Sequence, residues 1–184
     1  MHHLLTTELS PQHHYHNLGH TRAVVAAVGT LGRWAGLDEA ALLPLRLAAW
    51  FHDTGFVRRY EGHEQVSQAL LEEFLSEEKL PRDFVDPTLI PATHKDAVPQ
   101  SAAAALLKDA DLHNLGTGAY YTATAALRRE LAEAKGERYP DADWRAFCIA
   151  FAEQHRYYSE AGRALYGPRK AINLRAMRRR TSVE

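Results

Sequence analysis

Apolar residues recur at helical spacing along most of the chain. In residues 17–34 they occupy one face of a predicted helix that Gly36 closes, at Val24, Val25, Val28 and Leu31. The segment LDEAALLPLRLAAWFHD predicts a second helix with Asp38 as its N-cap. We expect Pro44 to kink or restart this helix and Gly55 to stop it.

Helical patterns continue through the middle of the chain. HEQVSQALLEEFLSEEKL is amphipathic, with its stripe at Val66, Ala69, Leu70, Phe74 and Leu75. Residues 81–94 predict a further helix that Pro91 disturbs in its last turn. SAAAALLKDADLHN is rich in helix formers, and TGAYYTATAALRRELAEAKG predicts a long helix ended by Gly136.

Two more helices are predicted near the C-terminus, over about 141–165 and 168–180, with Pro168 in the first turn of the second. Residues 1–14 are polar, contain Pro11 and are interpreted as a lead-in to the first helix. Signals for strands are nearly absent, because the chain has neither alternating β-branched runs nor Asn-Gly hairpin turns. The pattern therefore predicts an all-α, bundle-like fold.

Composition limits the class of protein. The chain has 184 residues, a net charge of −1 and one cysteine, which excludes an intrachain disulfide and a thiolate metal site. It has no secretory signal and no apolar run of about 18 residues, so we expect a soluble, cytoplasmic, single-domain protein that does not enter a membrane. The basic run RKAINLRAMRRR favours a surface helix with a solvated Arg tail over a binding patch.

Histidine is abundant, with 11 residues. His2, His3, His13 and His14 are expected to be solvated. Other histidines and acidic residues stand on or at the ends of predicted helices, in YHNLGH, FHD, ATHK and KDADLHN. A helical bundle builds a metal site from inward side chains of several helices. The candidates in these four segments are His20, His52, Asp53, His94, Asp109 and Asp111.

His52 and Asp53 are adjacent, and successive helix residues point about 100° apart. They can share an ion at a helix end, or if the aspartate bridges two ions, and Gly55 places a predicted helix end close by.

The order of these segments resembles the H…HD…D set of the HD-domain superfamily of metal-dependent phosphohydrolases, in its bacterial branch. YHNLGH, AAWFHDTGF, HEQVSQALL, ATHK and LLKDADLHNLG are similar to its successive motifs, and LRRELAE and GPRKAINLRAM resemble its C-terminal helices. The resemblance implies one compact HD domain over residues 1–184, with a motif core over about 15–114 and C-terminal helices over 115–180.

The resemblance also implies the ligands. A first ion would be held by His20, His52, Asp53 and Asp111, where Asp111 is preferred to Asp109. In dinuclear members two further histidines hold a second ion, and His63 and His94 occupy suitable places. The named branch more often has NE where this chain has HE (His63, Glu64), so the number of ions stays open at this stage.

Nitrogen and oxygen ligands suit Mn²⁺, Fe²⁺, Co²⁺, Ni²⁺ or Zn²⁺, and such an ion can turn bound water into a nucleophile near neutral pH. Asp53 would bridge if two ions were present. We expect Asp53, His94 and Lys95 to act in catalysis. Phosphate contacts are expected from the cations near the motifs, namely Arg58, Arg59, Lys95 and Lys108. We expect Asn17, Asp109 or Asn114 to orient the imidazole rings of the ligand histidines.

The expected activity is hydrolysis of a small phosphomonoester or phosphodiester, and a nucleotide fits this class. Two alternatives remain open: a di-iron enzyme that activates dioxygen, and a non-catalytic metal- or nucleotide-binding module. Nucleic acid is not expected as a partner, because the net charge is close to zero.

Overall fold

Helices account for all the regular structure in residues 2–180, the part of the chain that the computed structural model describes. Helices α1 to α8 span His2–Thr7, Leu18–Trp34, Glu39–Phe51, His63–Glu77, Ala102–Asp111, Tyr120–Ala134, Asp141–Gln154 and Glu160–Arg180. The predicted all-α class is confirmed. Residue 1 and residues 181–184, the ends of the predicted domain, lie outside the described residues.

Local sequence signals set several helix ends as predicted. The Asp38 side chain accepts a hydrogen bond from Ala41 N at the start of α3. Gly36 and Gly136 adopt φ of +81° and +72° just after α2 and α6. Pro44 does not restart the helix, because α3 runs unbroken from Glu39 to Phe51 with buried residues on both sides of the proline.

The helix predicted over residues 81–94 is wrong. This segment contains only two single-turn 3₁₀ helices, Arg82–Phe84 and Pro91–Thr93. Pro87 and Pro91 each lack an amide donor and disfavour the helical conformation of the residue before them, which prevents a continuous α-helix.

The predicted boundary between the last two helices is also wrong. Helix α7 ends at Gln154, and α8 begins at Glu160 and continues through Pro168. Buried Asp109 explains the break, because its carboxylate accepts hydrogen bonds from Tyr158 N, Ser159 N and Ser159 Oγ at 2.6–2.8 Å. A side chain far away in sequence therefore fixes a loop within a segment that has helical spacing.

The segment interpreted as a lead-in contains a helix of its own within residues 2–14. Helix α1 buries Leu5 and contacts α2 and the turn after α3. The His13 side chain is only 7% exposed, and its Nδ1 lies 3.6 Å from buried Glu130 Oε1. The N-terminal histidines predicted to be solvated therefore include one that packs inside the protein.

Two apolar clusters hold the helices together. The larger one joins α2, α3, α4, α5 and the 85–92 segment, with Val24, Val28, Leu31, Leu45, Leu71, Leu75, Ile90 and Leu107 among its members. The smaller one lies among α6, α7 and α8, around Tyr120, Trp144, Cys148 and Met177. In residues 2–180 no helix combines the length and apolarity of a membrane span.

Candidate metal centre

Three helix ends meet at a cluster formed by His20, His52, Asp53 and Asp111. His20 lies in the first turn of α2, His52 and Asp53 directly follow α3, and Asp111 is the last residue of α5. One nitrogen or oxygen atom from each side chain lies within 4.8 Å of those of the other three. Segments up to 91 residues apart in sequence thus supply one buried group of donors.

The end of α3 explains how adjacent residues share this cluster. His52 keeps helical angles, with φ −51° and ψ −36°, whereas Asp53 leaves the helix at φ −110° and ψ 4°. This change of backbone direction brings His52 Nε2 to 3.0 Å from Asp53 Oδ2. The predicted helix-end arrangement is confirmed, although α3 ends at Phe51 and Gly55 lies in the 3₁₀ turn that follows.

The spacing of the donor atoms fits a metal ion. His20 Nε2 lies 3.1 Å from Asp111 Oδ1, 3.3 Å from Asp53 Oδ2 and 3.4 Å from His52 Nε2. Ligands at about 2.1 Å from a cation stand about 3.0 Å apart in an octahedral site and about 3.4 Å apart in a tetrahedral one. Asp53 Oδ2 is buried without a hydrogen-bond partner, and a cation would supply the missing interaction.

The orientation of His52 also fits a ligand. Its Nδ1 lies 2.7 Å from the Ala49 carbonyl oxygen, which only accepts hydrogen bonds, so Nδ1 carries the proton. The lone pair of the neutral ring therefore stands on Nε2, the atom that faces the cluster. His63 has the same arrangement, because its Nδ1 donates to Tyr60 O at 3.0 Å. A carbonyl that fixes the imidazole tautomer is the usual support of a metal-binding histidine.

Charge is concentrated in this cluster. Burial opposes protonation of His20, but hydrogen bonds and charges of Asp111 and Asp53 raise its pKa to about 9. Burial likewise opposes the charge on His52, and the same two carboxylates raise its pKa well above the ordinary value. The imidazoles in turn hold the pKa of Asp53 and Asp111 below the usual range, although burial acts in the opposite direction. A divalent cation would take the place of the protons that balance these carboxylates.

Backbone caps hold the donors in place. Asn17 Oδ1 accepts from Gly19 N and His20 N at the start of α2 and so orients the turn that carries His20. Gly55 N donates to Ser67 Oγ at 2.8 Å, which ties the turn after Asp53 to α4. Asp109 and Asn114 were the other two residues predicted to orient an imidazole. Asp109 instead fixes the 158–159 loop, and Asn114 Oδ1 is buried without a hydrogen-bond partner.

His63 lies on the opposite side of Asp53 from the other histidines. Its Nε2 is 3.5 Å from Asp53 Oδ1 and 3.7 Å from Glu64 Oε1. Glu64 is buried and its Oε2 has no hydrogen-bond partner. His94 is exposed, and its Nδ1 accepts from Asp96 N at 3.3 Å. His63 therefore adjoins the four-residue cluster, whereas the structure does not bring His94 into it.

The four predicted phosphate-binding cations differ in placement. Lys108 is buried and donates to Ala92 O and His94 O at 3.2 and 2.6 Å, so its ammonium group holds the 91–94 turn instead of facing solvent. Arg58 pairs with Glu8, Arg59 donates to Gly62 O, and Lys95 is 78% exposed beside Asp96. Phosphate contacts of all four stay predictions, and Lys108 already has two carbonyl partners.

Glu130 is a buried acid that was not among the predicted site residues. Its carboxylate accepts from Tyr15 N and His16 N at 2.8 and 2.9 Å, and from Tyr60 Oη at 3.0 Å. Its Oε1 also lies 2.5 Å from His16 Nδ1. The sequence carries a signal for this position, because Glu130 stands on the apolar stripe of α6 beside Leu127 and Leu131.

Comparison with known proteins finds no match. No family model matches the chain, and no curated protein or solved structure is similar to it at the significance required. The structure and the sequence motifs are therefore the basis for any assignment of function. What they establish is a buried His and Asp cluster that could hold a metal ion.

Proposed function

We propose that the chain is a metal-dependent phosphohydrolase that acts on a small phosphomonoester or phosphodiester, with nucleotides as first candidates. The observation that carries the proposal is the meeting of His20, His52, Asp53 and Asp111 in one buried cluster with an unpartnered Asp53 oxygen. Phosphorus chemistry is supported only by the resemblance of the motifs to the HD-domain superfamily.

The four cluster residues would hold the ion. Two imidazoles and two carboxylates suit Mn²⁺, Fe²⁺, Co²⁺, Ni²⁺ or Zn²⁺, since no thiolate selects a softer metal. Such an ion, when bound, acidifies a coordinated water and neutralises charge on a phosphoryl oxygen.

The residues of the chain prepare this chemistry. The Ala49 carbonyl keeps His52 in the tautomer that presents Nε2. Asp53 directs Oδ2 to His20 and His52 and Oδ1 to His63, so each of its oxygens faces imidazole nitrogen. Glu64 Oε2 is buried and unpartnered next to His63, and we assign it to orient the attacking water by accepting a hydrogen bond from it.

His63 Nε2 lies 3.5 Å from Asp53 Oδ1, so His63 and Asp53 would hold a second ion if one were bound. The same position keeps the dioxygen-activating di-iron enzyme as a second candidate. The exposed position of His94 removes one of the two histidines that this candidate was expected to use. Hydrolysis with the four-residue cluster as its first site is therefore preferred.

The test combines metal analysis with turnover. Protein purified without added metal is analysed for bound ions and assayed on a panel of nucleotides, aryl phosphomonoesters and aryl phosphodiesters. Asp53→Ala is expected to lose metal and turnover while its helical circular dichroism persists. Asp96→Ala is the matched control, because Asp96 is 75% exposed and outside the cluster.

Bound metal without turnover of any phosphate ester would overturn the hydrolase and favour the binding module. Oxygen uptake with mixed-valent iron would favour the oxidative enzyme. Turnover that survives Asp53→Ala would refute the assignment of the site.

A further inference from the structure

A solvent-open cavity lies where the end of α7 and the following loop meet α8. Its volume is about 660 Å³, within the range of small-molecule sites. None of its lining residues belongs to the metal cluster or to α2, α3, α4 or α5. Its titratable lining, apart from Tyr157, consists of Glu153, His155, Arg156, Arg163, Lys170 and Arg178.

Positive charge dominates this lining, with four cations against one carboxylate. Glu153 pairs with Arg178, whose Nε lies 3.1 Å from Glu153 Oε1. This excess of positive charge is local, because the whole chain has a net charge of −1. The remaining three cations have no carboxylate in the lining to balance them.

Neutral groups hold these three cations in place. Arg163 Nη1 donates to Tyr158 O at 2.7 Å, and Lys170 Nζ donates to the His155 carbonyl oxygen. The Arg156 guanidinium stacks 5.4 Å from the centre of the Tyr158 ring. Carbonyls and a ring fix the side chains but leave their charge available to an anion.

Asp109, a carboxylate outside the lining, interacts electrostatically with Arg163. Its two oxygens are already engaged by Tyr158 N, Ser159 N and Ser159 Oγ. Burial lowers the pKa of Lys170, and no carboxylate contributes to that shift. Because both Asp109 oxygens are already hydrogen-bonded, Asp109 balances the charge of the lining only in part.

His155 provides a neutral polar group in the same cavity. Burial, with the charges of Lys170 and Lys108, lowers the pKa of His155 to about 3, so the ring is neutral at pH 7. Its Nδ1 is buried and has no hydrogen-bond partner. His155 therefore adds no positive charge to the lining.

From this arrangement we propose that the cavity binds the diphosphate or triphosphate group of a small molecule. Several clustered cations match a ligand with adjacent phosphates, and the volume also accommodates an organic group of nucleotide size. The proposal does not depend on metal at the cluster or on the proposed hydrolase.

Inorganic tripolyphosphate is a direct probe. Its binding to metal-free full-length protein is measured by calorimetry at an ionic strength of about 0.15 M, where distant surface charges are screened. The double variant Arg156→Gln/Lys170→Gln removes two lining charges. The control Arg175→Gln/Arg179→Gln removes two exposed charges of α8 outside the lining.

We expect the lining variant to bind tripolyphosphate at least about 30-fold more weakly than the wild type, and the control within about threefold of it. Arg156→Gln alone is also tested, because its guanidinium contacts only a ring and its loss leaves the fold intact. The proposal would be overturned if both double variants bound tripolyphosphate equally weakly, or if the wild type did not bind it. It would also be overturned if a single-stranded oligonucleotide bound more strongly than tripolyphosphate at equal phosphate concentration.

Discussion

A Cβ atom on Gly55 would stand 2.0 Å from the carbonyl oxygen of His63. The turn after Asp53 and the start of α4 therefore touch backbone to backbone, and only glycine permits this approach. The contact sets the position of His63 relative to Asp53, which precedes Gly55 by two residues.

Gly55→Ala is expected to destabilise the protein by about 3 kcal/mol, because backbone atoms cannot yield as a flexible side chain can. Gly136→Ala is the matched control. Gly136 has φ +72° but no atom within 4 Å of its Cβ position, so we expect a cost of only about 1 kcal/mol. Urea denaturation measures both, and equal losses would contradict the close contact.

Glu130→Gln should destabilise the protein by about 2 kcal/mol. The amide replaces one acceptor oxygen of a buried carboxylate that serves two backbone amides, a tyrosine and a histidine. Glu133→Gln, at an exposed position bonded to Arg129 and His14, should change the free energy of unfolding by less than about 0.5 kcal/mol. A similar small change for both variants would show that Glu130 does not anchor the 13–16 segment.

Lys108→Met should cost about 2 kcal/mol in stability, because two carbonyls of the 91–94 turn lose their donor. Lys95→Met, at an exposed position, should leave stability unchanged. If Lys108 instead contacted substrate phosphate, its variant would keep the stability of the wild type and change KM alone.

The metal-free protein should lose stability as pH rises from about 6.5 to 9. The folded pKa of His20, about 9, exceeds its ordinary value of 6.5, so its contribution is complete below 6.5 and disappears as pH passes 9. Asp53 and Asp111 have lowered pKa values, so their contributions disappear instead as pH falls below their ordinary value of 3.8.

A bound ion should reverse this trend at alkaline pH, because it displaces protons from the imidazoles and binds more tightly as they deprotonate. Denaturation midpoints with chelator and with metal, measured between about pH 6 and pH 9.5, test both signs. Metal-free stability that increases over this range would contradict the charge arrangement.

Hydrophobic spacing was sufficient to predict α2, α4, α5 and α6, whose ends lie near their caps or terminal glycines. It failed at 81–94, where prolines interrupt the pattern, and at 155–159, where Asp109 fixes a loop from a distant segment. Side chains that act through distant contacts leave no local periodicity in the sequence.

In the candidate site, too, some residues could be predicted from the sequence and others depend on distant contacts. His20, His52, Asp53 and Asp111 could be predicted from motif order, and the structure brings them together. The inward turn of Lys108 and the exposure of His94 depend on the 91–94 turn, whose conformation was predicted incorrectly. The position of Glu130 on the apolar stripe of α6 is visible in the sequence, but its partners in residues 13–16 are known only from the structure.

The decisive measurement is the metal content of the protein after equilibrium dialysis against a divalent transition metal, determined by mass spectrometry. The wild type and Asp96→Ala should retain at least one ion per chain, whereas His52→Ala and Asp111→Ala should retain none while remaining helical. A wild-type protein that retains no ion, or cluster variants that retain as much as the wild type, would contradict the metal centre.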